Sequence, residues 1–185
     1  MPTPEQPTGG VRLAALVPAD AQEMLEVLRR NRAFLAPFEP VRPAADFTLA
    51  GQQASLQALG EARTAGTTYA FGIRAPAGEL IGRVTLAQVF RGSFQNCYLG
   101  YWVAEDHNGR GYGTRAVELA VGYAFEELGL HRVQANVMTK NPRSARVLQK
   151  AGFRKEGLAL RYLQIAGRWE DHDMYALTAE DRTTG

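Results

Sequence analysis

The run His107-Asn108-Gly109-Arg110-Gly111-Tyr112-Gly113-Thr114-Arg115 sets three glycines at alternate positions. It lies between an apolar stretch, Tyr98 to Val103, and a helical pattern, Ala116 to Leu128. The first-turn N–H groups of a helix have no partner within the helix, and the helix dipole adds partial positive charge, so an anion is favoured at such a junction. Alternating glycines remove the Cβ atoms that would keep phosphate oxygens away from those amides. The chemistry that suits these residues is phosphate or pyrophosphate binding. A glycine-softened turn with no ligand is the plainer reading, and the segment alone does not choose between them. A P-loop needs Gly-Lys-Ser/Thr after its spacer, whereas Gly113 is followed by Thr114 and Arg115, and the first lysine is Lys140. A dinucleotide turn needs the G-x-G-x-x-G spacing, and Gly109, Gly111 and Gly113 step by two. Both readings are disfavoured.

The elements around the loop follow from periodicity and punctuation. Residues 1–10, rich in Pro, Thr and Gly, read as a disordered leader, and 11–180 as one domain. Val11 to Val17 is a strand, and Pro18-Ala19-Asp20 opens a helix carrying Met24, Leu25 and Leu28 inward. Arg30 to Pro43 holds three prolines and two phenylalanines, Phe34 and Phe38, which makes it a packed loop or a ligand wall. Asp46 to Thr64 reads as a helix with Leu49, Ala54, Leu56 and Leu59 inward. Thr67 to Arg74 and Leu80 to Phe90 form a hairpin, and Phe94 to Val103 is the strand that feeds the glycine loop. After the loop, a helix with Val117, Ala120, Val121, Ala124 and Leu128 inward ends at Gly129. Strand His131 to Met138, a helix from Asn141-Pro142 to Ala151, and a last hairpin, Phe153 to Ile165 with Arg168 to Leu177, complete the chain. The order β-α-α-β-β-β-α-β-α-β-β is an α/β arrangement with mixed strand directions.

Composition narrows the function. With 185 residues, 45% hydrophobic and 22% charged, the chain can bury a sizeable core. A net charge of +2 gives no case for nucleic acid. Cys97 is the only cysteine, so no intrachain disulfide can form; in an apolar strand it reads as a small hydrophobe. No apolar run has the length of a membrane span, and the first residues lack a signal-peptide pattern, so a cytoplasmic protein is expected.

The segment Asn108-Gly109-Arg110-Gly111-Tyr112-Gly113 resembles the acyl-CoA pyrophosphate loop of the GNAT acetyltransferases, Gln/Arg-x-x-Gly-x-Gly/Ala, with Asn in the first position. His131 to Met138, Asn141-Pro142-Arg143-Ser144-Ala145-Arg146, Gly152 to Gly157 and Tyr162 to His172 resemble the RimJ/RimL branch, the ribosomal-protein alanine N-acetyltransferases. Asn31 to Arg42 and Arg91 to Tyr101 resemble the RimJ side in particular. The resemblance implies the GNAT fold, a mixed, mostly antiparallel sheet of about seven strands flanked by four helices. It implies acetyl-CoA as cosubstrate and no metal. The pantetheine would pair with strand backbone near Trp102 and Val103, and Asn141 would hydrogen-bond the cofactor arm. The pyrophosphate would rest on the amides of Asn108, Gly109, Arg110, Gly111, Tyr112 and Gly113, on to Thr114. Arg110 either adds charge there or is a surface arginine.

The implied reaction is attack of a neutral amine on a thioester. An α-amine, with pKa about 7.7 to 8.0, is roughly one-eighth neutral at pH 7, against about one copy in 2,500 of a lysine near 10.4. A protein N-terminus therefore needs far less help from a base. Glu39 and His172 are the candidate bases, each with a structural alternative, and water relays are a third option. For the leaving thiolate, many GNAT enzymes use a helix tyrosine, and the matching position here is Leu148. The resemblance points instead to Ser144, which Asn141 at the N-cap and Pro142 at N1 also explain as a plain helix start. The expected activity is acetylation of an N-terminal alanine or serine of a ribosomal or other protein. A small-amine or antibiotic acetyltransferase, and a CoA-binding regulatory module without catalysis, are the alternatives; monomer and homodimer stay open.

Overall fold

A computed structural model of the chain describes residues 10–182, so the expected leader, apart from Gly10, lies outside the described residues. Seven strands form one sheet in the order β1-β2-β3-β4-β5-β7-β6. They are β1 (Arg12–Ala15), β2 (Tyr69–Arg74), β3 (Leu80–Phe90), β4 (Asn96–Val103), β5 (Arg132–Met138), β6 (Arg154–Ile165) and β7 (Arg168–Thr178). Every neighbouring pair is antiparallel except β4 and β5. That parallel pairing spans only Asn96↔Arg132, Cys97↔Val133 and Tyr98↔Gln134. From Leu99 onward β4 keeps β3 on one side while β5 keeps β7, so the sheet opens into a wedge at its centre.

Period-2 alternation sorts the side chains onto two faces. On one face Val84, Leu86, Cys97, Leu99, Val103, Val133, Ala135 and Val137 pack under Ala116, Val117, Ala120 and Leu148. Those last residues belong to α4 (Tyr112–Gly122) and α5 (Pro142–Lys150). The other face is covered by α1 (Ala21–Arg30), the single turn α2 (Arg32–Leu35) and α3 (Leu49–Thr64), with Met24, Val27, Leu28, Leu35 and Leu56 buried there. A last turn, α6 (Ala179–Arg182), follows β7. The four longer helices flank the sheet as expected.

Two helices differ from the expectation. α3 begins at Leu49, where the Thr48 side chain caps the Gly51 amide at 3.0 Å, and residues 46–47 lie in a preceding 3-10 turn. Leu49 and Ala54 face outward, and the inward stripe is Gln52, Leu56, the partly buried Leu59 and Arg63. Gln52 satisfies its amide on the Asp46 carbonyl, and the Arg63 guanidinium lies 4.7 Å from the Phe71 ring centre, with Tyr69 and Tyr123 beside it. Polar residues thus hold core positions that a hydrophobic count assigns elsewhere. The second helix, α4, starts at Tyr112 rather than Ala116, and after Gly122 it widens into a π-turn, Tyr123–Glu127, where Tyr123 packs edge-on to Phe71.

Candidate active site

Strand β4 delivers the chain to a 3-10 turn, Glu105–His107, and then to the glycine loop. The turn is anchored from the far side of the sheet: Asn31, buried at the end of α1, accepts the Glu105 amide on Oδ1 at 2.8 Å and donates from Nδ2 to the Val27 carbonyl. Gly109 (φ 77°) and Gly111 (φ 79°) take left-handed backbone that a Cβ would strain, and Gly111 is the N-cap of α4. Among the described residues the N–H groups of Gly109, Arg110, Gly111, Tyr112, Gly113 and Thr114 have no main-chain partner. Six adjacent free donors at a helix N-terminus fit a diphosphate. Asn108 differs: its amide is bonded to the Glu105 carbonyl at 3.1 Å and its Nδ2 to the Ala104 carbonyl at 2.9 Å, so it shapes the loop. Arg110 reaches back to the Asp106 carbonyl at 3.1 Å from an exposed position.

The wedge opens a cleft of about 230 Å³ that passes through the sheet. On the α4/α5 side its walls are Leu99, Tyr101, Ala135, Val137, Asn141, Ser144 and Leu148. On the α1/α3 side they are Leu35, Phe38, Glu39, Trp102, Asn136, Met138 and His172. Alternation along β4 and β5 makes this division, since Tyr101 and Trp102 must point to opposite faces. A second hollow of about 410 Å³ shares Phe38 and Met138 with the cleft and continues along Pro37, Lys140, Ile165, Ala166, Arg168 and Glu170. It runs beside a single main-chain bond, Ala166 N–H to the Glu39 carbonyl at 3.0 Å, which ties the β6–β7 turn to the segment after α2. The aromatic segment 30–43, with one helical turn and one 3-10 turn, Ala36–Phe38, thus forms part of the wall of both hollows.

The two candidate bases are now distinguishable. Glu39 is engaged by Arg42 through both oxygens, at 2.6 and 2.7 Å, which leaves no oxygen without a cationic partner. That pair raises Arg42 above its usual range, and nearby Arg83 is lowered by burial first and by Arg42 second. His172 is buried, and its Nδ1 lies 2.9 Å from the Glu170 carbonyl. A carbonyl only accepts, so Nδ1 carries a proton, and in the neutral ring Nε2 is the nitrogen with the lone pair. The ring is packed edge-on by Tyr162, whose hydroxyl accepts from Asn136 Nδ2 at 3.0 Å, and Asn136 in turn accepts from Gln134 Nε2 at 3.2 Å.

On the opposite side Asn141 Oδ1 caps the Ser144 amide at 3.1 Å, as the helix-start reading requires. The Ser144 hydroxyl also opens on the cleft, where it meets Tyr101 Oη at 2.8 Å. Sequence reasoning did not single out Tyr101, because its partner is 43 residues away. Trp102 lies beside Arg83 in register on β3, and its Nε1 is buried without a partner. Cys97 is fully buried and its thiol is pushed up to about 12 by burial, which makes it an inert core residue. Among the described residues no three His, Cys, Asp or Glu side chains cluster as metal ligands, and no helix is long and apolar enough to cross a membrane.

The family model of the acetyltransferase (GNAT) domain matches residues 11–154. This chain belongs to the GNAT acetyltransferase family. Within that family it is similar to YjcK of Bacillus subtilis, a probable N-acetyltransferase, at 43% identity over 163 residues, 88% of this chain and 90% of the relative. It is 40% identical to the ribosomal protein uS5-alanine N-acetyltransferase of Escherichia coli over 167 residues, 90% of this chain and 86% of the relative. The solved structure of Mycobacterium smegmatis RimJ, in complex with CoA-disulfide, matches with a TM-score of 0.89 and 31% identity, covering 92% of this chain and 83% of that one. The seven-stranded sheet is the GNAT fold, and the enzyme is an acetyl-CoA-dependent N-acetyltransferase of RimJ/RimL type.

Proposed function

We propose that this GNAT enzyme acetylates the N-terminal α-amine of a protein that begins with alanine or serine, ribosomal protein uS5 being the first acceptor to test. The observation that carries the reading is the cleft itself. It crosses the sheet, so a thioester entering from the α4/α5 side meets an amine arriving from the α1/α3 side, and the second hollow extends the amine side far enough for several acceptor residues. A polyamine has no need of that extension. The 40% identity to an enzyme named for uS5 alanine supports the same acceptor class.

Each face then has its task. The amides from Gly109 to Thr114 hold the diphosphate, and the strand edges at Trp102 and Val103, unpaired with β5, hold the pantetheine. Asn141 keeps Nδ2 for the cofactor arm while Oδ1 caps α5. His172 Nε2 takes a proton from the incoming ammonium, a modest task for an α-amine. Glu39, locked to Arg42, shapes the acceptor wall. Ser144 donates a hydrogen bond to the departing sulfur from the other face. The site of such a reaction is the cytoplasm. Mass spectrometry of peptides starting with alanine or serine, run beside spermidine and an aminoglycoside, tests the assignment. Acetylation of the peptide α-amine is the expected result, and turnover confined to the small amines refutes it.

A further inference from the structure

Tyr101 has no role in the chemistry so far, yet among the described residues it is the one whose side chain hydrogen-bonds the Ser144 hydroxyl. It projects from β4 just beyond the point where β4 and β5 part, onto the face where α5 presents Ser144 and Leu148. Its phenol has a single proton and two oxygens within reach: Ser144 Oγ at 2.8 Å and the Ser144 carbonyl at 3.2 Å. The choice between them decides what Ser144 can do. With the phenol proton on the carbonyl, the serine proton is drawn to Tyr101 and none faces the cleft. With the phenol proton on Oγ, the serine proton is free to turn into the cleft that Ser144 lines. The shorter contact favours the second arrangement.

We propose that Tyr101 is a positioning residue that donates to Ser144 Oγ and thereby aims the serine proton at the sulfur of the departing CoA. The proposal rests on Ser144 being the donor to that sulfur. When the amine nitrogen has bonded to the carbonyl carbon, the carbon–sulfur bond breaks and its electron pair goes to sulfur. The serine O–H supports the developing thiolate by hydrogen bonding; the ammonium gives its first proton to His172 before attack, and the second, released from nitrogen as the carbon–sulfur bond breaks, ends on sulfur, so no proton is lost from Tyr101. Magnitudes exclude Tyr101 as the acid. Burial pushes its phenol up to about 12, with the Ser144 hydrogen bond acting against that rise. Transfer from such a phenol to an ordinary thiolate, pKa near 8.5, runs about 3,000-fold uphill. A neutral donor at every working pH is what a positioning role needs.

Tyr101→Phe keeps the ring and removes only the hydroxyl. In single-turnover acetylation of an alanine peptide at saturating acetyl-CoA, the variant is expected to lose roughly 10- to 100-fold in rate. Acetyl-CoA affinity should stay within about twofold of the parent, because the diphosphate amides are untouched. Ser144→Ala should lose as much, and the double variant no more than Ser144→Ala alone, since the phenol then has nothing to aim. Full activity in Tyr101→Phe beside a slow Ser144→Ala overturns the role of Tyr101 and leaves Ser144 in place. Full activity in Ser144→Ala removes the serine reading and this inference with it. Losses that multiply in the double variant show two independent roles and also overturn the proposal.

Discussion

His172, which reads in the sequence as a strand residue with a structural alternative, is the proposed base on the strength of two contacts. One main-chain carbonyl fixes its tautomer, and its position on β7, opposite Met138 on β5, turns the ring toward the amine side of the cleft. Replacing it with glutamine keeps a hydrogen-bonding group and removes the proton acceptor. His172→Gln should cost about 10²-fold or more in kcat/KM for an alanine peptide at neutral pH. Glu39→Gln should cost much less, because its carboxylate is already held by Arg42. An unchanged kcat/KM in His172→Gln would assign the proton to a water relay. The sequence offered both residues and could not rank them, since the ranking depends on Arg42 and on the Glu170 carbonyl, contacts that only the folded chain makes.

The glycine loop and α4 form a single element, and its three glycines are not equivalent. Gly111 carries positive φ at the N-cap, whereas Gly113 lies within the first helical turn. The nearest side chains that a Cβ on Gly113 would meet, Val147, Val103 and Tyr101, lie at 3.7–3.9 Å, ordinary contact distances. Forcing an L side chain into the left-handed region costs about 1–2 kcal/mol, while alanine in place of glycine within a helix gains up to about 1 kcal/mol. Gly111→Ala should therefore lower the melting temperature by roughly 2–8 °C and weaken CoA binding, and Gly113→Ala should melt no lower than the parent. Thermal denaturation and calorimetry with CoA check both. The alternating spacing was legible as a glycine turn into a helix, with phosphate binding as one of two readings. The start of α4 was not, because the unpaired amides and Gly111 as its cap are backbone facts, and hydrophobic periodicity begins only at Ala116.

At the scale of the molecule, the sheet is a partition with one opening, and stability and function meet at that opening. Leu148 is fully buried against the α4/α5 face and also lines the cleft. Leu148→Ala should lower unfolding free energy by about 2–5 kcal/mol and, by enlarging the cleft, reduce turnover more than CoA affinity. Denaturant titration and steady-state kinetics separate the two effects. The order of the elements, the glycine turn, the N-capped start of α5 and the inertness of Cys97 were determined by the sequence alone. They depend on near neighbours in the chain: periodicity, turn residues and caps. Tertiary structure alone decided that Gln52 and Arg63 belong inside and that β4 and β5 pair for only three residues. It also decided that Tyr101 meets Ser144 across 43 residues of chain and that Ser144 and His172 line opposite faces of the cleft. Those outcomes follow from which strands lie side by side and in what register, and no local pattern encodes register between strands separated by a helix.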